Sequence, residues 1–292
     1  MQRFQLLLLT AGRRLWRGMR PADFDGSWQR SVGPQMVAFT AGAQLAAATA
    51  ATQYVPAVLA ETDQPDEPLA AVRPQAFAGV ASDGRDLGSL LEGSVRVSKM
   101  YVARGWDGGD ALAQGQRWLE QALQTIATDA ARDAVAAEIM VREKARWVRI
   151  VNPPCCSRCA VLAGRTYSWN ADFARHPQCD CFALPVIVAN PEAFQADPRE
   201  LYKRGLITDL TKAQRQRLDE GASMSKVLNE SRDRWRARLT EQRNSDEEAA
   251  KRASWGTPTD LPPAGTSIHD LFDRLTSRVD ALAALRAAGI AE

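Results

Sequence analysis

All five cysteines of this 292-residue chain fall between Cys155 and Cys181, together with His176, one of its two histidines. They lie in the stretch VNPPCCSRCAVLAGRTYSWNADFARHPQCDCFALP, residues 151–185. Thiolate and imidazole are the ligands that tetrahedral Zn²⁺ prefers, and a metal crosslink fixes the shape of a segment too short to bury a core of its own. One arm reads C-x2-C (Cys156, Cys159) and the other H-x2-C-x-C (His176, Cys179, Cys181). Sixteen residues separate Cys159 from His176, enough for a hairpin that brings the arms together. The spacing favours Cys156, Cys159 and Cys181, with His176 or Cys179 as the fourth ligand; Cys155 abuts Cys156 and is the expected spectator. The same residues also admit a plainer arrangement of buried thiols, with His176 hydrogen-bonded and Pro177 fixing a turn.

A nucleophilic reading of the segment is weaker. Cys156 and His176 would make a thiolate–imidazolium pair, but four further thiols beside it invite disulfide exchange or metal capture, and only Asp172 and Asp180 stand near enough in sequence to orient the base. A Ser-His-Asp site would have to recruit His176 or His269. The glycine-rich GWDGGD at Gly105 lacks the Lys and Ser/Thr of a phosphate loop. No catalytic residue is assigned. Clustered cysteines, odd in number, suit a metal site in a reducing compartment better than a disulfide framework.

The rest of the chain reads as mainly α. Its 45% apolar content supports a buried core, and 37 Lys and Arg against 35 Asp and Glu leave no global basic excess for nucleic acid. Leu6 to Leu9 is too short a run for an export signal or a span, and the alanine-rich stretch from Val37 to Ala60 reads as a buried helix, so no membrane span is expected. Residues 1–60 should form two helices separated by a turn at Pro21–Gly26, with Asp25 or Ser27 as the cap, Pro34 in the first turns of the second helix, and Tyr54–Pro56 closing it. Glu61–Arg73 has the acidic, proline-rich chemistry of a linker. A short helix is expected over Val95–Ala103.

From Ala111 to Trp147 apolar residues recur at helical spacing with no proline. Arg117, Glu120, Asp129, Arg132, Asp133 and Glu138 then form an expected solvated face, and the alanines from 127 to 137 permit close approach of another helix. Trp147–Val151 alternates like a strand, with Gly164–Trp169 and Cys181–Val188 as partners. Thr211 with Gln214 spells a capping box, and Ser223 begins another helix. Pro198–Arg252 carries fourteen Lys or Arg against ten Asp or Glu, a local excess that raises DNA contact as a weak option. Ser254–Thr266 is a Pro/Gly linker, and from Ser267 an amphipathic helix places Leu271, Leu275, Val279, Leu282 and Leu285 on one stripe. The expected division is a helical N-terminal domain (1–146), the Cys/His knuckle as a small β-rich insertion (147–190), a basic helical arm (191–253), the linker (254–266) and the C-terminal helix (267–292).

The run from Cys156 through Cys159, Leu162, Ala163, Gly164 and Arg165, followed by Arg175, His176, Pro177, Cys179, Asp180 and Cys181, resembles the minor head proteins of tailed bacteriophages. These are the MuF-like head-morphogenesis group, and the likeness is greatest to its actinobacteriophage branch. YVPAVLAE at Tyr54 and AFAGVASDGRDLGSLL at Ala76 resemble it too, so the likeness spans residues 50 to 190; GLITDLTKAQRQRLDEGASMSKVLN is similar less distinctively. The resemblance implies a protein of few copies inside the phage head near the portal, present in the host cytoplasm during assembly, with the portal protein, the major capsid or scaffold protein and packaged DNA as partners. Members of the branch are often labelled capsid maturation proteases, which is the competing expectation. Cys155 departs from the pattern, where similar proteins carry a small residue.

Overall fold

Helix α6 (Gly108–Met140) is the 33-residue axis of the molecule. Asp107 starts it, its carboxylate accepting from the amides of Gly109 (2.7 Å) and Asp110 (3.1 Å). Leu112, Leu119, Leu123, Ile126, Ala130, Ala134 and Ala137 form its buried stripe. In the computed structural model, which describes residues 2–173, 180–187, 197–230, 268, 275 and 277–292, the chain is mainly helical with one small antiparallel sheet. Among the described residues no helix is long and apolar enough to cross a membrane.

Three helices pack on α6 ahead of the sheet. α1 (Gln2–Trp16) buries Leu8 and Trp16, and the Trp16 indole donates to the Leu112 carbonyl at 3.2 Å. α2 (Phe24–Ser27) leads through a π-helical turn (Trp28–Val32) into α3 (Gly33–Glu61). The cap of α2 is Asp23, which accepts from the Gly26 amide at 2.8 Å, and not Asp25 or Ser27 as expected. Asp25 instead pairs with Lys99 at 2.8 Å, and the Ser27 hydroxyl donates back to the Asp23 carbonyl at 2.6 Å. Pro34 lies in the first turn of α3, directly after the π turn, which accommodates its missing amide.

Pro56 does not end α3. The helix continues to Glu61 because Val55 and Leu59, fully buried on either side, hold both turns in place. After a 3₁₀ turn (Pro74–Phe77), α4 (Leu87–Leu91) and α5 (Gly93–Ala103) complete the helical layer. At the α5–α6 crossing a Cβ on Gly115 would lie 2.1 Å from Ser98 Oγ and 2.5 Å from the Ser94 carbonyl, so only glycine allows this approach.

The expected solvated face of α6 is overturned in its C-terminal half. Arg117 is exposed and Glu120 pairs at the surface with Arg13, but Asp129, Asp133 and Glu138 are 4%, 7% and 6% exposed. The reason is that α3, the sheet and the segment after α3 wrap this half of the helix. That segment, read as a linker, is pinned: Leu69 donates to the Val141 carbonyl (2.7 Å), and Arg142 reaches the Asp66 carbonyl (3.1 Å) while pairing with the Glu138 carboxylate.

The sheet has the order β2–β1–β3, with β1 (Arg146–Ile150) antiparallel to β2 (Thr166–Tyr167) and β3 (Phe182–Val186), so the alternation read in the sequence marks real strands. Its register sets Trp147 opposite Tyr167 and Pro185. Further on come α7 (Ser157–Leu162), inside the cysteine stretch, α8 (Pro198–Lys203) and α9 (Lys212–Asp219). The Thr211–Gln214 capping box is present in full, and residues 224–230 are helical after Ser223. The Ser254–Thr266 linker lies outside the described residues.

The C-terminal helix α10 runs over Arg278–Ala287 with Ser277 as its cap, and it docks on the body of the protein. Leu285 is buried, but Val279 is 76% exposed and off the expected apolar stripe. Beyond α10, Ala291 bridges Val72, and Glu292 donates to the Ala71 carbonyl at 3.0 Å.

Two stability measurements separate these contacts. Arg142→Ala leaves Glu138 buried without its cation and should cost about 3–5 kcal/mol in chemical denaturation, whereas Glu120→Ala, removing a half-exposed pair, should cost under about 1 kcal/mol. Gly115→Ala should destabilise by about 1–3 kcal/mol through overpacking, although alanine is the better helix former.

Candidate functional site

The cysteine stretch is built on the sheet. β1 ends at Ile150, and the backbone of Cys155 pairs in parallel with Ile207, donating to the Leu206 carbonyl (2.9 Å) and accepting from Thr208 (3.1 Å). The chain after α8 is thereby tied to the first cysteine. The Cys155 thiol faces the core, and burial, with Cys156 and Asp209 nearby, pushes its pKa up. A thiol so placed is slow to become the thiolate that a metal or an electrophile needs.

Cys156 has a different environment. It is the N-cap of α7, and its Sγ accepts a hydrogen bond from the Cys159 amide at 3.3 Å. The C-x2-C arm is therefore a turn in which a backbone N–H already supports sulfur, the kind of outer contact that steadies a metal-bound thiolate. Asp209 holds the same turn from outside, accepting from the Ser157 amide at 2.6 Å and the Ser157 hydroxyl at 3.0 Å. Gly164, at φ +72°, turns the chain back, and its amide donates to the Arg149 carbonyl at 2.8 Å, which aligns β2 with β1.

Cys159 and Cys181 are 3% and 4% exposed, and they share one core with Trp147, Phe173, Leu201 and Val227. Three of the five expected ligands, Cys156, Cys159 and Cys181, are thus described, whereas His176 and Cys179 lie outside the described residues. Among the described residues no three Cys, His, Asp or Glu side chains gather as a metal-holding group. The donor set itself, soft thiolates with one imidazole in reach along the chain, fits Zn²⁺. Both histidines, on which a Cys–His pair or a Ser-His-Asp site depends, lie outside the described residues.

Beside the cysteines, between α3, α6 and the sheet, is a cavity of about 690 Å³. Alanines 46, 47, 50 and 51 of α3 face alanines 127, 131 and 136 of α6, and Trp147, Trp169 and Phe173 form an aromatic end. Arg132 reaches from α6 toward the cysteine stretch, donating to the Cys181 carbonyl at 2.9 Å and pairing with Asp129 at 3.4 Å. The Phe173 ring receives both the Arg132 and the Arg149 guanidinium, 5.4 and 4.3 Å from its centroid. Ser82 adds a hydrogen bond to Asp129 at 3.2 Å. Tyr54 closes the α3 side by donating to the Ala183 carbonyl at 3.3 Å, and burial pushes its phenol to about 12, so it stays protonated at neutral pH.

Comparison with protein-family models, with curated proteins and with solved structures found no match. Asp129 and Asp133, both buried, and the half-buried Arg132 are the residues the sequence reading missed. The one local sign is the run of alanines between 127 and 137, which lets neighbouring elements come close enough to cover the charges between them.

Asp209→Ala removes the side-chain partner of the α7 N-terminus and should destabilise by about 1–2 kcal/mol in urea titration. Asp219→Ala, whose carboxylate accepts from the exposed Tyr202 hydroxyl at 2.7 Å, is the control and should shift little.

Proposed function

We propose that the chain is a minor head-morphogenesis protein of a tailed bacteriophage, acting near the portal in head assembly and DNA packaging or delivery, and that its cysteine stretch holds a structural Zn²⁺. The observation that carries the zinc reading is the Cys159 amide donating to Cys156 Sγ at 3.3 Å, in a turn held from outside by Asp209. It gives the C-x2-C arm, on which the resemblance to MuF-like proteins rests, the backbone support that a ligating thiolate uses.

Cys156, Cys159 and Cys181 would hold the metal, with His176 or Cys179 as the fourth ligand. Zn²⁺ supplies no reaction in this role. It crosslinks the two arms of a segment whose sheet has only two residues in β2. The protein's own residues do the positioning: Asp209 fixes the first arm, and Arg132 holds the carbonyl of Cys181 on the second. The portal protein and the major capsid or scaffold protein are the proposed partners, with packaged DNA a weaker one, and the head interior is the proposed location. The competing capsid maturation protease would need a nucleophile or acid pair, and among the described residues the raised Tyr54 and Cys155 are poor candidates.

Elemental analysis of the purified protein should give about one zinc per chain, with loss of the metal and of thermal stability in a Cys156→Ser, Cys159→Ser double variant; equal metal content in both proteins refutes the site. Coexpression with the portal and major capsid proteins of the same phage should place the chain in procapsids with the capsid protein intact. A capsid protein shortened at a defined N-terminal position, and lost on mutation of this chain, would favour the protease instead.

A further inference from the structure

Two contacts on the aromatic wall of the cavity come from the far end of the chain. β2 pairs with β1 only through Tyr167 and Thr166, so the chain leaving Tyr167 has no ladder partner. Trp169 nevertheless lines the cavity. Its ring lies 5.1 Å from the guanidinium of Arg278, the first residue of α10, and the side chain of the next residue, Asn170, donates to the Leu275 carbonyl at 3.1 Å.

Arg278 also spans the joint between the longest helix and the central strand. It donates to the carbonyls of Ile139 (3.1 Å) and Met140 (3.4 Å) at the end of α6, and to that of Ala145 (2.6 Å) just before β1. One side chain thus ties the tail, the α6–β1 joint and Trp169 together. Burial lowers its pKa, and a guanidinium is the cation that best keeps its charge when buried.

The tail has the makings of a detachable element. α10 is ten residues long, too short to be helical in water unless docked. Besides Arg278, its hold on the body among the described residues is Ala281 and Leu285 on one face with Leu282 and Ala284 packed beside them, Ile290 and Ala291 beyond it, the Arg73 and Glu292 amides donating to the Ile290 and Ala71 carbonyls, the Val72–Ala291 bridge and the exposed Arg73–Glu292 pair.

We infer that Leu275 and residues 277–292 are a strap that keeps the Trp169–Asn170 wall of the cavity in place, so that release of α10 loosens that wall while the α3–α6 pair and β1 stay folded. The inference stands on contacts of the tail alone and does not depend on the proposed zinc or on a role in the phage head.

Hydrogen exchange of the full-length protein tests it with three variants. Arg278→Ala removes the latch, Arg278→Lys keeps the charge without the forked donors, and Leu285→Asp undocks α10 at its buried face while leaving Arg278 unchanged. Peptides covering 166–173 and 278–287 should exchange faster in Arg278→Ala and Leu285→Asp by about tenfold or more, as loss of a charged hydrogen bond implies for local opening. Arg278→Lys should lie between, and peptides from β1 and mid-α6 should match wild type. The inference is overturned if α10 exchanges freely while 166–173 keep wild-type protection, if α10 stays protected in Leu285→Asp, or if β1 and α6 open together with the tail.

Discussion

The close approach of α3 to α6 is the constraint on which the other parts depend. Alanine on both helices removes the side chains that would hold them apart, so Ala48 and Ala51 of α3 share one buried core with Ala130, Ala134 and Ala137 of α6. Small side chains bury little area each, and the stability of such a pair comes from many small contacts taken together. Two consequences follow for the chemistry. Polar groups on α6 are carried into the interior, where they need partners: Asp129 has Arg132 and Ser82, and Glu138 has Arg142. The hollow left where the alanine faces meet the sheet is closed by aromatic residues, because nothing smaller reaches across.

Arg132 is the residue through which that helical core addresses the cysteine stretch. It is nearly buried, it is paired with Asp129 on its own helix, and it donates to the Cys181 carbonyl, 49 residues away in sequence. Cys181, Cys159 and Cys155 lie in one core with Leu201, Ile207, Leu210, Leu218, Met224 and Val227. The helices after the cysteine stretch are therefore part of the same folding unit as the thiols. A metal bound there would act on residues 197–230 as well as on the two arms that ligate it, since loosening the thiols removes one wall of the core that α8 and α9 pack on.

Much of this was legible where the cause is local. The capping box at Thr211 and Gln214, the strand alternation from Trp147, and the helix before Arg104 depend on residues within a turn or two of each other. The errors share a different origin. Pro56 was read as a stop, but Val55 and Leu59 are anchored by tertiary packing and carry the helix past it. Asp25 was read as a cap, but Lys99, 74 residues on, takes its carboxylate and leaves capping to Asp23. Charge suggests water for the acids on α6, but Asp129, Asp133 and Glu138 are covered by elements distant in the chain. The cavity was not legible at all, since its walls come from five separate stretches of chain. The C-x2-C turn was legible as a pair of thiols, but Asp209, which positions it, carries no local sign of that role.

The cysteine stretch is gripped at both ends by segments that follow it in the chain. At its start, Cys155 and Ser157 are held by residues 206–209, some 52 positions later; at its hairpin, Asn170 is held by Leu275, 105 positions later. The sheet inside it is short, and short ladders with distant supports gain their order late, after long loops have closed. A metal crosslink within the stretch would change that sequence of events. It would bring Cys156, Cys159 and Cys181 together across a loop of some two dozen residues before either distant support arrives, and so supply locally the fixed surface on which α8, α9 and α10 dock. The thiols are concentrated in this one place, in a chain with no cysteine elsewhere, so a crosslink there would act where the backbone ladder is shortest.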